Sequence, residues 1–165
     1  MSEKNENIQT PMGQKVYETI IKMFDGNEYK YDRHDEDHVV TCLVGGDDLP
    51  MEMLFVVHDQ REVVQVISPM PFRVPEDKRT EIALATTLVN DRLIHGSFDF
   101  NLLTGRIVFR LTTSFVESIL GPKMFDYMLN VSAATVDDYN DKFMMISKGI
   151  ITFEQFLESE TKDDE

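Results

Sequence analysis

The chain has 165 residues, 42% of them hydrophobic, and carries 30 acidic against 16 basic side chains for a net charge of -14. That hydrophobic content excludes a chain kept unfolded by its charge, and the length suits one domain. The acid excess argues against nucleic acid and against anionic membranes, which both need clustered Lys and Arg.

Residues 1–10 are polar and read as a flexible N-terminal tail, followed by a single domain over 11–157. From Pro11 the apolar residues Val16, Tyr17, Ile20, Ile21, Met23 and Phe24 recur at helical spacing. Thr10 is the expected N-cap with Pro11 in the first turn, and Asp25-Gly26-Asn27 the stop. A charged loop, 32–37, then leads to three strand-like runs: His38 to Val44, Met51 to His58, and Glu62 to Ile67. Their short breakers predict an antiparallel meander. Met51, Met53, Phe55 and Val57 share one face of the second strand, and Leu54 and Val56 make the other partly apolar. Such a strand is expected to lie centrally and to be covered on both sides.

Val74-Pro75-Glu76-Asp77 opens a second helix, with acids in its first turn where they suit the macrodipole and Gly96 as its expected C′ residue. Phe98, Phe100 and Leu102 alternate with Ser97, Asp99 and Asn101. After Leu103-Thr104-Gly105, Ile107, Phe109 and Leu111 alternate with polar positions. This is a hairpin with one apolar face. Beyond Gly121-Pro122 the period is helical to about Lys148, and Thr152 to Leu157 reads as a last short helix. Residues 158–165 hold five acids and one lysine and read as a solvated acidic tail. The order α-β-β-β-α-β-β-α with a C-terminal helical extension predicts an α+β fold, an antiparallel β-sheet backed by helices.

The search for chemistry returns little. His34-Asp35-Glu36-Asp37-His38 holds residue types that ligate transition metals, which gives one alternative: a small metal-dependent enzyme using the His34–His38 region. The run sits between strands, where nothing aligns its ligands, and a charged solvated loop accounts for it better. The single cysteine, Cys42, lies in an apolar run and cannot close an intrachain disulfide. Gly45-Gly46 lacks the Lys-Ser/Thr of a phosphate loop and precedes two aspartates that would repel phosphate. No catalytic, cofactor or metal residues are assigned. Asn90, near an apolar helix stripe, is expected to tie its helix to a neighbouring loop. Asp99 with Arg106 or Arg110 would pair across the hairpin, and these three with Met124 and Met128 make a candidate partner surface. No signal peptide or apolar membrane span is evident, so a cytoplasmic location is expected.

Several segments in order carry a resemblance. Val74-Pro75-Glu76-Asp77-Lys78-Arg79, Leu88-Val89-Asn90, Gly96-Ser97-Phe98-Asp99-Phe100 and Gly105-Arg106-Ile107-Val108-Phe109-Arg110 together resemble the YbjN-like family, over about Pro11 to Val131. The resemblance implies a fold like that of type III secretion chaperones, commonly homodimeric, which hold partly unfolded segments of other proteins. It also implies a regulatory or stress-linked setting without established catalysis. The expected role is a non-enzymatic protein-binding module, regulatory or chaperone-like, with a protein or peptide partner. A further alternative is an acidic regulatory domain that sequesters basic proteins.

Overall fold

In a computed structural model, the chain is described over residues 11–162. The expected tail over 1–10 lies outside them, as do 163–165 of the acidic end. The described residues form helix α1 (Met12–Gly26), strands β1 (Asp32–His34), β2 (Val39–Val44), β3 (Met51–His58) and β4 (Val63–Pro69), then helix α2 (Arg79–Arg92). Strands β5 (Ser97–Asn101) and β6 (Arg106–Ser114) follow, and then helices α3 (Pro122–Ser147) and α4 (Phe153–Lys162). Six strands make one antiparallel sheet in the order β1-β2-β3-β4-β6-β5. The expected α+β fold is therefore the fold observed, with one short strand, β1, added to the meander.

The sheet has one covered face. Partners in register share a face, so Val40, Phe55, Val66 and Leu111 form one buried row across β2, β3, β4 and β6. Ser68, Phe109 and Phe98 form another toward β5. Helix α1 packs on β2 and β3, α3 crosses β3, β4 and β6, and α2 lies on β5. The buried faces of α1 (Tyr17, Ile20, Phe24) and α3 (Phe125, Met128, Phe143) meet those rows. The largest side chains lock edge to face: Phe98 lies 5.2 Å from Phe109 and 5.0 Å from Phe143 between ring centroids. Each such ring contributes roughly 1.5–3 kcal/mol by leaving water, and the tilted pairing adds to that. The expectation that β3 is covered on both sides is not met. Its Glu52, Leu54, Val56 and His58 look away from the helices and stay partly or fully exposed.

Other differences have local causes. Pro11 itself is the N-cap, with ψ 145°, and the helix starts one residue later than expected. Glu76–Lys78 is a separate 3-10 turn, and α2 proper begins at Arg79. Helix α2 ends at Arg92, with Leu93 already extended, so Gly96 is not its cap. Gly96 does hold a positive φ of 75°, but the reason is close approach: a Cβ there would strike the Phe109 ring. Gly105, at φ 70°, is pinned the same way against the Val74 carbonyl in the β5–β6 turn. Residues 158–162 are no solvated tail. They continue α4, whose Phe156 is buried against the core and whose Glu160 is only 5% exposed. Glu160 accepts from Lys142 Nζ at 2.7 Å and faces Arg92 at 3.7 Å, and those cations are what make a buried acid tolerable.

Candidate binding surface

Asn90 is on the inner side of α2, in its last turn, and reaches the backbone of β5. Its Nδ2 donates to the Phe98 carbonyl at 3.0 Å, and its Oδ1 accepts from the Phe98 N–H at 2.8 Å. The amide thus imitates a neighbouring strand for one residue. Its tie runs to a strand and not to a loop, and it holds α2 over the hairpin that carries Asp99, Arg106 and Arg110.

Those three lie together on the open face of the sheet. Arg110 Nη2 meets Asp99 Oδ2 at 3.0 Å with both side chains about half exposed, 45% and 46%. Arg106 stands opposite Asn101 in the register. With Ile67 and Val108 they line a shallow depression of about 450 Å³. The two methionines do not join them. Met124 is 40% exposed on the first turn of α3, and Met128, one turn on, is 1% exposed among core residues. Met128 is therefore no part of a surface: α3 is pressed to the sheet from Phe125 onward, and only its outermost turn stays free.

The His34–His38 region builds a structural knot. His34 is in β1, opposite Val39, while His38 ends the turn with a positive φ of 51°. His38 stacks on Tyr17 at 5.1 Å, and its Nδ1 and Nε2 meet Asp59 Oδ2 at 3.0 Å and Gln14 Oε1 at 2.8 Å. The Tyr17 hydroxyl donates to Asp35 Oδ1 at 2.7 Å. Burial, reinforced by that hydrogen bond, pushes the Tyr17 hydroxyl up to about 12. Among the described residues no three His, Cys, Asp or Glu side chains are grouped to hold a metal ion.

The most accommodating surface lies at the free half of β2. Strand β1 pairs only with Val39, Val40 and Thr41, so the outer edge of Cys42, Leu43 and Val44 has no strand beside it among the described residues. An unpaired edge offers backbone donors and acceptors to any extended chain. A groove flanks it on each face. On the open side, one of about 430 Å³ is lined by Lys30, Tyr31, Asp32, Thr41, Leu43 and Glu52. On the helix side, one of about 450 Å³ runs between α1 and α3, with Phe24, Tyr29, Val44, Leu129 and Ala133 as its apolar walls and Lys30 and Asn130 at its rim. Leu43 stands 79% exposed and Tyr29 40% exposed between them. Cys42 underlies both grooves, but burial raises its thiol to about 11, so it serves as packing and not as a nucleophile. The grooves were not legible from sequence, because their walls come from three distant segments. The structure also leaves Leu43 exposed in a strand whose other residues are buried or partly buried, which its apolar sequence run does not disclose.

The chain belongs to the YbjN family, described as "Putative bacterial sensory transduction regulator", which matches residues 17–144 and so extends beyond Val131 along α3. No curated protein sequence matches the chain. Among solved structures it is similar to one of the HopA1-SchA chaperone-effector complex, at 13% identity and a TM-score of 0.56, covering 80% of this chain and 98% of that one. It is similar also to YbjN from E. coli, at 11% identity and a TM-score of 0.54, covering 80% and 89%. The ExsC-ExsE complex supplies a third, at 14% and 0.50, covering 81% and 94%. At these identities the likeness is one of fold. No helix of the described residues is long and apolar enough to cross a membrane.

Proposed function

We propose that the protein is a chaperone-like binding module, without catalysis of its own, that takes an extended segment of a partner protein along the free edge of β2. One observation carries this reading: the unpaired edge Cys42–Val44 runs between two grooves, one on each face of the sheet. A strand added there would alternate its side chains between the two grooves while its backbone continued the sheet. The helix-side groove has apolar walls and suits a leucine or an aromatic ring, and Lys30 and Glu28 at the rims suit polar flanks. The similarity to folds seen in chaperone-effector complexes supports a protein partner, and the family description supports a regulatory setting for the binding. A cytoplasmic location fits that setting.

The test is selection of linear peptides from a random display library on the whole chain, followed by titration against an Ala133→Arg variant. Ala133 lines the helix-side groove and is only partly buried, so an arginine there fills the groove without entering the core. Selected peptides should be rich in alternating apolar residues and lose affinity by roughly a hundredfold, the equivalent of a filled anchor pocket. Failure to select any peptide, or binding indifferent to Ala133→Arg, would overturn the reading.

A further inference from the structure

Arginines gather at one end of the sheet in a chain whose net charge is -14. Segment 69–73 leaves β4 and runs beside β6, where the Met70 N–H donates to the Ile107 carbonyl at 3.0 Å. It brings the exposed Arg73 to the same shallow depression as Arg106, one of about 480 Å³. Arg106 also lines the depression beside Asp99 and Arg110, so the two adjoin. Across both, three guanidinium groups stand with one carboxylate, Asp99, a local excess of two positive charges against the sign of the chain.

The pairing within this patch is uneven. Arg110 is committed to Asp99 at 3.0 Å. Arg73 donates to the Thr104 carbonyl at 3.3 Å, and neither it nor Arg106 has a carboxylate within ion-pair distance among the described residues. The acids of the neighbouring 3-10 turn face other cations: Glu76 lies 3.9 Å from Arg79, and Asp77 acts on Lys78. Beside the charges is a floor for an apolar group. Val108 is two residues from Arg106 on the same face of β6, and Pro69 stands opposite it in register. With Ile67 these residues are only partly buried.

We infer that this end of the open face receives an acidic segment of a partner protein, with its carboxylates on Arg73 and Arg106 and an apolar side chain on Val108. A guanidinium group suits a carboxylate because its planar fork offers two parallel donors. Side chains do the recognising here: Pro69 and Pro71 have no N–H, so this backbone offers little for an added strand to bond. Spacing sets the order within the segment. In an extended chain, side chains two residues apart share a face and lie about 7 Å apart, which is also the step from Arg106 to Val108. The segment therefore carries an acid and, two residues on, an aliphatic or aromatic side chain. Salt screens the acids of the rest of the chain beyond about 8 Å, while contacts at Arg73 and Arg106 act within that distance. The patch shares no residue with the grooves beside β2, so it stands independently of strand addition there.

The experiment is fluorescence anisotropy on the whole chain with a labelled synthetic peptide in which a pair of glutamates is followed, two residues on, by leucine. The same peptide with glutamines in place of the glutamates is the control. The glutamate form should bind, and the glutamine form should bind roughly tenfold more weakly or worse. Arg106→Glu and Arg73→Glu, both at exposed positions, should each weaken the glutamate peptide by roughly tenfold or more. Ala133→Arg, which fills the groove beside β2, should leave this affinity unchanged and so separates the two sites. Circular dichroism verifies the fold of each variant. Equal binding of the two peptides, affinity indifferent to both arginine variants, or loss of binding in Ala133→Arg would each overturn the inference. Self-association that depends on Arg106, with no peptide bound, would assign the patch to a second copy and overturn it as well.

Discussion

The two faces of the sheet obey different rules, although the same strands build both. The helix-covered face is an apolar layer, interrupted by Ser68, in which Phe55, Phe98 and Phe109, with Phe143 of α3 against them, are 2% exposed or less. The open face mixes partly buried aliphatics with the Asp99–Arg110 ion pair and with a hydrogen-bonded polar line. In that line His58 Nε2 faces Gln65 Oε1 at 2.9 Å, and Gln65 Nε2 donates to Thr112 Oγ1 at 3.0 Å. The covered face therefore sets stability, and substitution there costs cavity and contact energy. Stability is less sensitive to the open face and to the β2 edge, which leaves them free to serve recognition.

Substitutions can break this contrast or sharpen it. The largest effect belongs to Phe143→Ala on the covered face, which removes a ring packed on Phe98, Tyr139 and Phe156. It should cost about 3–5 kcal/mol in denaturant unfolding. If it costs as little as a surface change, the covered face is not the core. Asn90→Ala comes next: it leaves the Phe98 N–H and carbonyl without their side-chain partner and should cost about 1–3 kcal/mol. Asn90→Asp should do similar damage, because a carboxylate cannot donate to the Phe98 carbonyl. The smallest effect is Asp99→Asn on the open face. It breaks a half-exposed ion pair and should shift stability by less than about 1 kcal/mol. A loss comparable to that of Asn90→Ala would show that the open face stabilises the fold directly.

What the sequence discloses follows the same division. The β5–β6 hairpin is legible because Phe98, Ile107 and Phe109 alternate against water, and a period of two has few other readings. Strand β1 is not, because Asp32, Arg33 and His34 have no apolar face and form a strand through pairing with Val39–Thr41. Glu160 reads as tail by composition, and only the fold reveals Lys142 and Arg92 beside it. Met124 and Met128 look equivalent in sequence at a spacing of one helical turn. Where α3 first touches the sheet decides that one is exposed and the other buried. Asp99 and Arg110 were foreseeable as cross-strand neighbours, whereas the grooves beside β2 depend on β1 beginning only at Asp32, opposite Thr41.

The claim that the β2 edge receives a strand is tested most directly by amide hydrogen exchange on the whole chain, with and without a saturating display-selected peptide. Strand addition predicts new protection at Cys42, Leu43 and Val44, with the amides of β3 and β4 already protected in the free chain and little changed. Protection confined to the helices or to β5, with Cys42–Val44 exchanging as before, would contradict it.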